Sequence, residues 1–187
     1  MLNIIAGTLS SGTPPLSLTG YNSIATVTVG STPQSSITFS DIPQGYKHLQ
    51  IRWIAREDTA GQGDAEFWGR FNGDSGANYK YHSIFGDGST AYSAAGGNTF
   101  FASGRGVAAS IASNIFGVSV MDILDYTNTN KNKVTRILSG WDANGSGYMF
   151  FYSGLWMNTN AVTSVTLLGD TGSFIQNSQF ALYGIEG

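Results

Sequence analysis

Leu49-Gln50-Ile51-Arg52-Trp53-Ile54-Ala55-Arg56 carries the clearest structural signal in the chain. Leu49, Ile51, Trp53 and Ala55 alternate with Gln50, Arg52, Ile54 and Arg56. Successive side chains of a strand point to opposite faces, so this pattern sets one apolar face against a mostly polar one. A half-buried strand is predicted. The same period recurs outward in both directions, over 24–29, 36–39, 67–71, 79–85, 115–124, 134–138, 148–156, 162–168 and 180–185. Between the segments lie Asn72-Gly73-Asp74, Asp87-Gly88, Asp142-Ala143-Asn144-Gly145 and Thr127-Asn128-Thr129-Asn130-Lys131-Asn132, residues that accept positive φ or close turns with their side chains. About ten short strands joined by such turns make an all-β, antiparallel, jelly-roll-like sandwich. The stretch 91–113, rich in Ala, Gly and Ser with Phe100, Phe101, Val107 and Ile111 as its bulky anchors, reads as a loop laid across one end.

Composition agrees. The 187 residues include 25 glycines, 4 prolines and no cysteine, and charged side chains make up 11 %, less than half of the roughly 25 % usual in soluble domains. Neutral polar residues must therefore dress the surface, and a helical bundle is excluded. With 12 acidic and 9 basic side chains and a net charge of −3, the chain lacks the clustered Lys and Arg that nucleic acid requires. Without cysteine there is neither a disulfide framework nor a thiolate zinc site. Met1-Leu2-Asn3-Ile4-Ile5-Ala6-Gly7 has no basic residue, and its apolar run is too short for a signal core or a membrane span. A soluble protein that is not exported by its own signal is expected.

Residues 1–20 read as an extended arm and 21–187 as the sandwich domain, because Pro14-Pro15 and small polar residues prevent helix in the arm. The arm still carries Leu2, Ile4, Ile5, Leu9, Leu16 and Leu18. These side chains either pack on their own domain, adding an edge strand, or dock on a partner chain.

Chemistry is sparse. His48 and His82 are far apart and form no metal-binding spacing. Gly73-Asp74-Ser75-Gly76-Ala77 lacks the second glycine of a nucleophile elbow and follows a turn. The candidate glycosidase carboxylates Glu57, Asp58, Asp64, Glu66, Asp122 and Asp125 lie in connections and strand ends, where acidic residues are ordinary. Asn72, Asp74 and Asn78, like Asp142 and Asn144, offer oxygen ligands around glycines, but turns require the same residues. No metal or other cofactor is expected. Tyr148, Phe150, Tyr152 and Trp156 share one strand face and read first as core; Trp141, placed in a loop, is the candidate for an exposed ring in glycan contact.

Ser36-Ile37-Thr38-Phe39-Ser40-Asp41-Ile42-Pro43, Tyr46-Lys47-His48-Leu49-Gln50-Ile51-Arg52, the run from Arg70 to Tyr79, Ser153-Gly154-Leu155-Trp156 and Phe180-Ala181-Leu182-Tyr183-Gly184-Ile185 occur in this order. Together they make residues 21–187 resemble small β-sandwich virion proteins of tailed bacteriophages. The resemblance implies a non-enzymatic structural task with no catalytic residues to carry over. A capsid decoration (cement) protein that docks on the major capsid protein is the first expectation, because the chain has no fibre-like shaft repeat. The alternative is a tail-fibre or tailspike module that binds a receptor or glycan. Either would be assembled in the host cytoplasm, reside in the virion and form a homo-oligomer, with a trimer suiting capsid and fibre symmetry. A secreted glycosidase or carbohydrate-binding module would call for an export signal.

Overall fold

A computed structural model describes residues 20–61 and 63–187. The arm positions Leu2, Ile4, Ile5, Leu9, Leu16 and Leu18 lie outside the described residues. Twelve strands follow in chain order: β1 (Tyr21–Thr28), β2 (Ser36–Phe39), β3 (His48–Ala55), β4 (Asp64–Phe71), β5 (Tyr79–Gly86), β6 (Ala91–Asn98), β7 (Phe101–Val107), β8 (Gly117–Leu124), β9 (Lys133–Asp142), β10 (Gly147–Trp156), β11 (Val165–Leu168) and β12 (Gln179–Ile185). They form an eight-stranded sheet, β1-β12-β3-β8-β9-β10-β5-β6, and a four-stranded sheet, β2-β11-β4-β7. Every pairing between these strands is antiparallel. The all-β sandwich expected from the sequence is present, with twelve strands among the described residues in place of about ten. Its eight-and-four division does not establish a jelly roll.

β3 sits near the middle of the large sheet and keeps the predicted apolar inner face, although Gln50 and Arg56 of the polar set are buried as well. Leu49, Ile51, Trp53 and Ala55 are buried, whereas Arg52 and Ile54 are exposed. Aromatic contacts join the two sheets across the core. The Trp53 and Phe67 rings are 5.0 Å apart, and Phe71 of the small sheet lies 5.5 Å from Trp156 of the large one. Phe150, Tyr152 and Trp156 of the stripe read as core are buried on one inner face, and Tyr148 is partly buried against that core.

The stretch 91–113 is not one loop. β6 pairs with the whole of β5, from Tyr79 opposite Asn98 to Gly86 opposite Ala91, and β7 is an almost wholly buried strand. The reason lies in the second sheet. β7 crosses the inner face of the large sheet so closely that a Cβ on Gly104 would come within 2.8 Å of Trp53 Cζ2 and 2.9 Å of Ser139 Cβ. Small residues are required there for packing, although the same composition reads as loop in one dimension.

Two buried cations fix the connections. Arg56, 4 % exposed, donates from its guanidinium to the carbonyls of Ala109, Ile111, Ala112 and Ile115. Lys133 Nζ donates to the carbonyls of Asn128, Lys131 and Thr159. Each cation is held by several carbonyl dipoles, which is how a buried charge avoids the full penalty of desolvation.

Candidate functional site

The outer face of the large sheet departs most from ordinary surface chemistry. An antiparallel sheet with one solvated face normally turns polar side chains outward. Register builds three rows across strands β3, β8, β9, β10 and β5. Gln50, Asp122, Arg136, Ser153 and His82 form a polar row. It is tied together by Gln50 Nε2 donating to Asp122 Oδ1 at 2.7 Å and Arg136 donating to Ser153 Oγ at 2.8 Å. Next to it run Arg52, Val120, Leu138, Phe151 and Ile84, followed by Ile54, Val118, Gly140, Met149 and Gly86.

Seven residues of these last two rows are large, apolar and exposed: Ile54, Ile84, Val118, Val120, Leu138, Met149 and Phe151, at 37 to 68 %. Taking about 200 Å² for such a residue fully exposed, the band presents on the order of 700 Å² to its surroundings, above the roughly 300–600 Å² of the largest patch on a typical monomer. Two depressions belong to the band. One, of about 870 Å³, is bordered by Val118, Val120, Leu138 and Met149, includes Gly140 and Gly86, and has Asp87 and Asp142 in its lining. The other, of about 550 Å³, lies around His82, Ile84, Ser93, Ala95 and Phe151.

Trp141 is not an exposed loop ring. β9 extends through Asp142, so Trp141 lies on a strand, 9 % exposed. Its ring lies 5.9 Å from that of Tyr148. Its indole N–H is buried without a hydrogen-bond partner among the described residues, and it contributes to the lining of the larger depression. From Trp141 a series of ring contacts runs through Tyr148, Phe150 and Phe85 to Tyr92, which is 42 % exposed.

The structure gives each candidate carboxylate a bonding partner. Glu57 is fully buried, with its oxygens accepting from Thr59 Oγ1 and the Asp170 N–H; burial pushes its carboxyl up despite those bonds. Asp58 accepts from the Ser173 N–H. Asp64 and Glu66 both bind the Arg105 guanidinium, and burial raises the Glu66 carboxyl against the pull of that cation. Asp122 belongs to the polar row. Asp125, a positive-φ turn residue, pairs with Lys131 and Lys47, whose hydrogen bonds hold its carboxyl down to about 2.

The oxygen-rich turns bind protein donors. Asn72 Oδ1 accepts from the N–H groups of Thr163 and Ser164. Asp74 accepts from Trp156 Nε1 at 2.7 Å, Asn78 Nδ2 and the Gly76 N–H, and the Trp156 bond leads in lowering its carboxyl. Asp142 Oδ1 accepts from the Asn144 N–H. His48 Nδ1 accepts from the Asp125 N–H, whereas His82 sits on the outer face. Among the described residues no group of three or more His, Cys, Asp or Glu side chains is placed to hold a metal ion, and no helix is long and apolar enough to cross a membrane.

Sequence reasoning named one member of the apolar band, Ile54, and passed over the rest. The signal was present in runs apolar on both faces, such as Val118-Ser119-Val120-Met121 and Met149-Phe150-Phe151. Comparison with known proteins finds no family model, no curated protein and no solved structure that matches this chain. The likeness to phage virion proteins thus rests on the quoted phrases alone.

Proposed function

We propose that this chain is a non-enzymatic structural protein of a tailed-bacteriophage virion, a capsid decoration protein that attaches to the major capsid shell and stabilises it. The observation that carries the reading is the apolar outer face of the large sheet, a surface suited to a working state inside an assembly. The phrases resembling phage virion proteins supply the kind of assembly. Among the described residues β1 forms one edge of the large sheet, pairing with β12. In this reading residues 1–20 act as the attachment arm, with Leu2, Ile4, Ile5, Leu9, Leu16 and Leu18 as its apolar contacts.

The test adds full-length chain, or a chain lacking residues 1–20, to virions stripped of the native protein and measures occupancy. Saturation by the full chain and loss of binding by a folded truncated chain are expected. Saturation by both would place the contact on the folded domain and remove the arm's role. A second reading, a tail-fibre or tailspike module that binds a receptor glycan, draws on the ring series from Trp141 to Tyr92. A virion map with this mass on the tail would favour it over decoration.

A further inference from the structure

We propose that the outer face of the large sheet is a self-complementary interface that joins two copies of this chain about a two-fold axis. The inference rests on the reading above only in taking the face to be covered in the working protein. Two features of the face select a second copy as the cover.

The first is size. A band on the order of 700 Å² from each of two copies buries roughly 1,400 Å², within the 1,200–2,000 Å² of a stable, specific interface. The second is pattern. Consider a two-fold axis between the facing sheets, perpendicular to the strands and midway between the row containing Leu138 and the row containing Gly140. It lays each strand over its own counterpart and exchanges the two rows. Leu138 then stands over Gly140 of the second copy and Ile84 over Gly86, so large side chains meet the two positions in the facing row that have none. Val120 faces Val118, and Phe151 faces Met149, a favourable sulfur–aromatic pairing.

The same operation brings the polar row over the end of the sheet that carries Asp142 and Asp87. On β9 it sets Arg136 against Asp142 of the second copy, so opposite charges meet where the other orientation would leave like rows together. An isologous face of this kind closes at two copies. A trimer, if the virion uses one, must be built with another surface.

The test is the mass of the full chain across a concentration series by light scattering and sedimentation equilibrium. A dimer is expected. Leu138→Lys and, independently, Met149→Lys should give folded monomers, because both side chains are more than half exposed and contribute little to the domain's own core; thermal melting provides the folding check. Arg136→Asp and Asp142→Arg should each weaken the dimer by about tenfold or more, and the double variant should recover most of that loss.

A wild-type chain that stays monomeric, a trimer indifferent to both lysine variants, or a double variant no better than its parents would overturn the proposal. So would a dimer that depends on residues 1–19 and ignores the lysine variants, since the arm would then make the contact. A dimer through this face in a protein not found in virions leaves the inference standing and removes the functional reading; lysine-insensitive monomers on a capsid do the reverse.

Discussion

Replacing Gly104 by alanine tests the close approach of β7 to the large sheet. Gly104 has φ of +128°, a conformation that L side chains rarely adopt and that costs about 1–3 kcal/mol when a non-glycine residue is forced into it. The added methyl would also lie 2.8 Å from Trp53 Cζ2, 2.9 Å from Ser139 Cβ and 3.1 Å from Ser119 Oγ. Trp53 and Ser139 are both buried, so neither is a loose side-chain end that swings away, and overpacking of this kind costs about 1–3 kcal/mol. The two effects together remove about 2–6 kcal/mol from a domain whose whole stability is of order 5–15 kcal/mol. Urea unfolding followed by tryptophan fluorescence should show a midpoint lower by about 1–3 M, with an unchanged slope. Gly45→Ala is the control, because a Cβ there meets nothing within 4 Å. Equal midpoints for the two variants would refute the close packing of β7.

Arg56→Met leaves four carbonyls without their donor and should cost about 3–5 kcal/mol by chemical denaturation, with proteolysis beginning between Ala108 and Phe116. Ile51→Asp places an unpaired charge at a fully buried position and should abolish cooperative unfolding in calorimetry; a soluble variant with unchanged melting would show that β3 is misregistered. Glu57 provides a pH test. Burial holds its carboxyl above the ordinary 4.5, so its stabilising contribution is full below that value and is lost as pH rises through the folded-state value. Glu57→Gln removes this dependence, and its melting temperature relative to the parent should rise between pH of about 4 and about 7; a constant difference would contradict the assignment. Asp74 has the opposite sign, its lowered carboxyl contributing above 3.8 and losing that contribution as pH falls. Asp74→Asn should therefore destabilise the protein more at neutral pH than in acid, as read by the same melts.

Alternation around Leu49–Arg56 was enough to establish strands, because the strand period is a local property of the chain and a half-buried strand writes it into consecutive residues. The buried aromatic stripe Phe150, Tyr152 and Trp156 was legible for the same reason. Asn72-Gly73 and Asn144-Gly145 were legible as turns because positive φ is a property of single residues. These signals sufficed for an all-β antiparallel fold with one inward and one outward face per strand.

Alternation alone neither marks β7 as a strand nor gathers the runs apolar on both faces into one band. The glycines and small side chains of β7 answer to Trp53 and Ser139, residues distant in the chain that approach only when the second sheet closes over the first. Leu138, Phe151 and Ile84 form a row because β9, β10 and β5 pair in one register, and a shift of one residue would send each to the opposite face. Trp141 shows the same limit on a single side chain. Its neighbours suggested a loop, but pairing with Tyr148 carries β9 past it and buries its ring. Local backbone preference is encoded residue by residue, whereas sheet order and register arise from long-range closure, and those determine which apolar side chains lie inside and which gather into a surface.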